Sequence, residues 1–140
     1  MGFNRAMISP DSRMPQPMRA GAGVLANFLT TAWAAETDED ITLSELSGGM
    51  LVQGTTLTSD VTYTLPTAAA IAAAPGFDAM DIGDSFSFVV KNSQVGAFDV
   101  VVAVGVGITA LGANNSLSVP PQGMLIFNLI KTAAATFDLI

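Results

Sequence analysis

The sequence of 140 residues predicts a mainly β protein: an antiparallel β-sandwich or jelly-roll-like domain with an extended N-terminal arm and one short alanine-rich helix. Three observations lead there. After residue 51, apolar and polar residues alternate with the period-two pattern of half-buried strands. Turn residues separate these runs about every ten positions, the spacing of sandwiches and barrels. The opening residues 1–23 follow neither a helical nor a strand period. The chain therefore divides into an arm (1–23), a junction (24–50) and a β-sandwich domain (51–140).

The arm comes first. Pro10, Pro15 and Pro17, with Gly21 and Gly23, favour an extended, partly polyproline backbone, which over this length reaches on the order of 70 Å. Met1, Met7, Met14 and Met18 supply adaptable apolar contacts, and Arg5, Arg13 and Arg19 face only Asp11 in charge. Such a segment has no core of its own and is ordered only when something holds it. Arg5, Met7, Arg13, Met14, Met18 and Arg19 are accordingly the candidate partner-binding residues, together with Trp33, the lone tryptophan, as an anchor.

In the junction, the acidic run Glu36, Asp38, Glu39 and Asp40 reads as a solvated turn or a helix start. "VLANFLTTAWAA" resembles a signal-peptide core only loosely, because the region before it is long and rich in proline, so no cleavage is expected.

Strands follow. "VTYTLP" puts Val61, Tyr63 and Leu65 on one face and Thr62 and Thr64 on the other. In "TAAAIAAAPG" the alanines after Pro66 and Thr67 make one or two helical turns, stopped by Pro75 and Gly76. "DSFSFVVKN" turns Phe86, Phe88 and Val90 inward. "AFDVVVAVGVG" aligns Phe98, Val100, Val102, Val104 and Val106, and its second face is also nearly apolar, so a strand covered on both sides is expected. Turns at Asn114-Asn115 and at Pro120-Pro121 flank a short strand over 116–119. "MLIFNLIK" and "ATFDLI" close the chain as two strands joined through 131–134.

Composition limits the chemistry. Half the residues are apolar, only 12% are charged, and mean hydropathy is +0.51, so much of the surface is expected to be covered by other molecules. From Glu36 onward acids predominate and only Lys91 and Lys131 oppose them; with a pI near 4.1, nucleic acid is not expected as the main partner. The longest nearly apolar stretch is too short and too glycine-rich for a membrane span, which needs about 20 residues. With no cysteine there is no disulfide or thiolate metal site, and with no histidine the commonest general base is missing.

The remaining candidates are thin. Asp78, Asp81 and Asp84 in "FDAMDIGDS" are spaced three apart and offer oxygen ligands to a hard cation, but they lack the order of a calcium loop, and loop carboxylates are mostly just solvated. No metal, cofactor or catalytic residue is assigned. A carboxylate-based hydrolase is the least favoured reading, since one Trp and one Tyr give little for sugar stacking. A serine nucleophile has only the two lysines as base, neither in an S-x-x-K arrangement. Gly105 and Gly107 in "GVGITALG" lack the helix start of a phosphate loop and read as a bulge or close packing.

The stretch over 61–130 resembles small β-rich structural proteins of viruses and bacteriophages: capsid decoration or cement proteins, and head or tail fibre domains. The recurring elements are "YTLPTAAAI", "GDSFSFVVKN", "VGVGIT", "VPPQG" and "LIFNLI". The resemblance covers about half the chain and rests on pattern, leaving the arm outside it. It implies a non-enzymatic virion protein that works by assembly, with copies of itself and a major capsid or other virion protein as partners. A trimer would suit capsid threefold positions. The alternative is a fibre or receptor-binding tip module acting through the loops "SQVGA" and "GANNS".

Overall fold

A computed structural model describes residues 29–33, 37–54, 56–112 and 117–140, with side chains from residue 37 onward. The strands, in chain order, are β1 (Leu29–Trp33), β2 (Glu39–Asp40), β3 (Gly49–Gln53), β4 (Val61–Thr64), β5 (Ser85–Asn92), β6 (Val100–Ala103), β7 (Ile108–Ala110), β8 (Ser118–Val119), β9 (Met124–Ala133) and β10 (Thr136–Leu139). Two short helices interrupt them, α1 (Leu43–Gly48) and α2 (Ala68–Ala73).

The strands form a six-stranded sheet in the order β1-β3-β5-β9-β10-β7 and a four-stranded sheet in the order β2-β4-β6-β8. Up to β6 the chain lays alternate strands in the two sheets, and each return to a sheet adds a parallel neighbour: β1, β3 and β5 in one, β2, β4 and β6 in the other. The backbone thus winds as three successive coils with one strand per sheet per coil. Passing through the opposite sheet is the crossover that parallel pairing requires. The direction reverses later, where β8 pairs antiparallel with β6 and β9 with β5; β9 and β10 then make a hairpin, and β7 closes the far edge parallel to β10.

This corrects the expected antiparallel jelly roll. The protein is β-rich, but both sheets are mixed, with β1/β3, β3/β5, β2/β4, β4/β6 and β7/β10 parallel and only β5/β9, β9/β10 and β6/β8 antiparallel. The cause of the difference is plain: side-chain alternation is the same in both pairings, so it cannot report strand direction. Strands β1 and β2 and helix α1 come from the stretch read as a junction, and the arm lies outside the described residues.

Local rules account for the helices. Thr42 and Glu45 form a reciprocal capping box at the start of α1: the Glu45 amide donates to Thr42 Oγ1 at 3.2 Å and the Thr42 amide to Glu45 Oε2 at 2.8 Å. Gly49 ends α1 in the left-handed conformation at φ 85°. Helix α2 occupies the expected alanine run, with the Thr67 hydroxyl accepting from the Ala70 amide at 3.2 Å.

The inward side chains of both sheets share one core. Leu51, Phe88, Val90, Phe127, Leu129 and Phe137 from the larger sheet meet Val61, Tyr63, Val100, Val102 and Val119 from the smaller, with Leu46 and Ile71 from the helices. Phe88 and Phe127 are register partners and stack at 5.3 Å, while Phe77 meets Phe86 edge-on at 4.7 Å.

Two strand boundaries differ from expectation. The valine run ends as a strand at Ala103, Val104 is half-buried and Val106 exposed. Gly105 explains the break: a Cβ there would lie 2.7 Å from the Pro66 carbonyl carbon, so the backbones approach too closely for any side chain. The strand expected over 116–119 is Ser118–Val119, and the closing hairpin turns at Ala134 and Ala135 because β9 runs on to Ala133.

Candidate interaction surface

The outer face of the larger sheet is built by the alternation that fills the core. On β5, Phe86, Phe88 and Val90 point inward, which turns Ser85, Ser87, Val89 and Lys91 outward; on β9, inward Phe127 and Leu129 leave Met124, Ile126, Asn128 and Ile130 outward. Register sets these residues in rows. One row runs Met50, Val89, Ile126 across β3, β5 and β9, and the next runs Val52, Lys91, Met124. Ile126 is 62% exposed and Met124 55%. Val89, by contrast, is buried although it lies outside the core cluster. Toward the other end the face becomes polar: Ser87 donates its hydroxyl to Asn128 Oδ1 at 2.6 Å, and Asp138 lies opposite Ile130. Ile140 extends β10 beside Asn128 through backbone bonds of 2.8 and 3.0 Å and is itself exposed. Met124 and Ile126, two apart on β9, thus form the exposed apolar part of this face.

A second feature is a braced loop at 93–99. Fully buried Asn92 donates Nδ2 to the carbonyls of Phe98 (3.0 Å) and Val119 (3.1 Å). The Gln94 side chain donates to the same Phe98 carbonyl and accepts from the Gly96 amide at 2.8 Å. These buried amides fix the loop backbone and present Val95, 75% exposed, at its tip. Nearby, Ser118 Oγ donates to Asp99, whose amide donates in turn to Asp60 Oδ1 at 2.8 Å.

The acidic loop is organised by its own backbone. Asp78 Oδ1 accepts from the Gly76 amide at 3.2 Å and Asp84 Oδ2 from the Asp81 amide at 2.8 Å, so both carboxylates serve as turn caps. Among the described residues no group of three carboxylates is placed to hold a metal ion. Lys131 fastens this loop from β9: mostly buried, it donates Nζ to the Met80 carbonyl at 2.7 Å, while its backbone pairs with Gly83 and Asp84. Lysine in that position supports a loop.

Inside the smaller sheet, Tyr63 donates its hydroxyl to Gln53 Oε1 at 2.7 Å, tying the sheets together across the core. Both side chains are fully buried. Burial, followed by the negative charges of Glu39 and Asp38, pushes the Tyr63 phenol up from 10.0 to about 12.

Of the partner-binding residues named from sequence, Arg5, Met7, Arg13, Met14, Met18 and Arg19 lie outside the described residues. Trp33 ends β1, its backbone in register with Gln53. The outer row and the Asn92–Gln94 bracing were not singled out from sequence. The signal for the first was available in "MLIFNLI", where residues of both parities are apolar; the second joins groups through Val119, which no local pattern links to Asn92. Among the described residues no helix is long and apolar enough to cross a membrane. The chain matches no protein-family model, no curated protein and no solved structure.

Proposed function

We propose that this chain is a virion structural protein, a capsid decoration or cement protein that stabilises a shell through contacts between its β-rich body, its N-terminal arm and neighbouring subunits. The observation that carries the reading is the exposed apolar pair Met124 and Ile126 on the outer face of the larger sheet, in a chain of which only 12% is charged. Burying such a face stabilises association by roughly 25 cal/mol for each Å² of apolar surface removed from water. The resemblance to small phage and virus structural proteins supports the same reading, as does the basic arm set against an acidic body. Many modest contacts on a symmetric lattice add through avidity, so no single one has to be strong. In this reading the partners are copies of the chain and a major capsid protein, and no residue is assigned to catalysis.

The braced loop favours one second reading, a fibre or receptor-binding tip module. Two buried amides spent on holding Val95 outward resemble the rigid presentation of a recognition loop. Deleting residues 1–23 and replacing the tip residues 93–97 separate the two. The cement reading expects the deletion to cut incorporation into particles and the loop replacement to leave it unchanged; intact particles that lose receptor binding on loop replacement would establish the tip.

A further inference from the structure

We infer that the outer face of the larger sheet, over β9, β10 and β7, is a two-fold interface between two copies of this chain. The inference deepens the proposed function by naming the surface through which one copy holds another, and it rests on that reading only for the use of the pair in a particle.

Register assembles this surface. On β10, inward Phe137 and Leu139 turn Asp138 and Ile140 outward; on β7 and the residue after it, inward Ile108 turns Thr109 and Leu111 outward. Ile140 bonds to Asn128 through both backbone groups, and the Leu111 amide donates to the Leu139 carbonyl at 2.8 Å, so Leu111, Ile140 and Asn128 lie level across the sheet. Ile126 and Met124 come two and four residues before Asn128 on β9. Leu111, Ile140, Ile126 and Met124 are each more than half exposed, and they are four of the seven large apolar side chains so exposed among the described residues. With strands about 4.8 Å apart and a rise of about 3.4 Å per residue, they form one diagonal band about 17 Å long. Most of the exposed apolar surface is thus gathered in one place.

Two observations name the occupant as a second copy. The first is charge. From Glu36 onward eleven acids face two lysines, so two bodies repel each other over most of their surface. The outward residues of β5, β9, β10 and β7 include only Lys91 and Asp138 as charges, one of each sign, and neither side chain has a hydrogen bond or ion pair among the described residues. Here alone like charge does not keep two copies apart. The second observation is self-complementarity. Lys91 lies level with Met124 and Asp138 level with Ile130, on opposite sides of β9, so the midpoint between the two charges falls on β9 between Ile126 and Asn128. A two-fold axis running between the paired faces over that point, square to the line from Lys91 to Asp138, sets each Lys91 over the partner's Asp138. On the same strand spacings it also brings Met124 within about 4 Å of the partner's Leu111 in projection, and Ile126 within about 3 Å of the partner's Ile140. A closed two-fold contact must be complementary to itself, and one rotation satisfies the charged and the apolar pairs together. A band of this length belongs to the small end of specific interfaces, so the pair forms reversibly with concentration.

The test is sedimentation of the full chain from about 1 µM to about 1 mM, a range that reaches weak association. A reversible monomer–dimer equilibrium is expected; a monomer throughout, or a trimer, overturns the inference. Lys91→Glu and Asp138→Lys should each weaken dimerisation at least about tenfold, because each sets two like-charge pairs across the axis, and the double variant should return to within about threefold of the native chain. Ile126→Asp should abolish the dimer while leaving the circular dichroism spectrum unchanged. A dimer indifferent to these substitutions, or a double variant no tighter than the single ones, refutes the inference. Particle incorporation is scored separately: dimers in solution that never enter particles defeat the cement reading and leave this one standing, whereas a monomeric chain found in particles defeats this inference and leaves the cement reading intact.

Discussion

Replacing Tyr63 by Phe removes one oxygen from the centre of the protein and leaves the shape of the core intact. The lost atom donates to Gln53 Oε1 at 2.7 Å, and both side chains are fully buried, so water cannot replace the bond. Removing one partner of a buried pair costs about 1–3 kcal/mol, because the other keeps its desolvation penalty. Gln53→Leu should also destabilise, because it deletes the acceptor 2.7 Å from the phenol. The double variant should be less destabilised than the sum of the two, with a coupling of about 1–2 kcal/mol in a urea-unfolding cycle.

The phenol also has a pH signature, set by its burial and then by the negative charges of Glu39 and Asp38. The folded-state pKa of Tyr63 is raised from 10.0 to about 12, so the folded protein favours the neutral phenol more strongly than the unfolded chain does. That contribution is complete below pH 10 and is lost as pH rises through the window from 10.0 to about 12. The gap in stability between the native chain and Tyr63→Phe should therefore narrow across this window. Additive single variants would refute the reasoning that this bond ties the two sheets, and a gap independent of pH would refute the burial of a neutral phenol.

Three further perturbations test the local arguments. Gly105→Ala places a Cβ against the backbone of Leu65 and Pro66 and should destabilise by about 1–3 kcal/mol in urea unfolding, whereas alanine at Gly54, where nothing lies within 4 Å, should cost far less. Thr42→Ala removes the hydroxyl that accepts from the Glu45 amide, leaving the Thr42 amide's bond to Glu45 Oε2 in place, and should lower stability by about 1 kcal/mol, read as a lower thermal midpoint. Lys131→Met keeps the buried stem but deletes the bond to the Met80 carbonyl, so amide exchange in the loop at 76–84 should accelerate while the strands β5 and β9 stay protected.

How much of this was legible in the sequence depends on the range of the signal. Val61, Tyr63 and Leu65, and Phe86, Phe88 and Val90, are buried as their alternation demands, and the alanine run is a helix with Thr67 as its cap. These are local rules. Helix α1 starts just past the acidic run expected as a solvated turn or a helix start, and its own signal, Thr42-x-x-Glu45 followed by Gly48-Gly49, lies in the sequence beside it. Strand direction was not available: β3 and β5 become neighbours only after the chain has passed through the other sheet, and period two carries no record of that path. The valine run misled because its apolar pattern continues past Ala103, while the backbone of Leu65 and Pro66, forty residues upstream of Gly105 by about that count, forces the break from outside. The contact face was half legible, as β9 is apolar on both parities, but its rows exist only once β3, β5 and β9 are in register.

The central claim is that this chain works as a stoichiometric part of a particle. Its most direct test is quantitative mass spectrometry of density-purified virus particles from the source culture. The account predicts the chain at a fixed copy number relative to the major capsid protein, retained through salt washes that strip loosely adsorbed protein. Its absence from the particles, alongside abundant free protein in the same culture, would contradict the account.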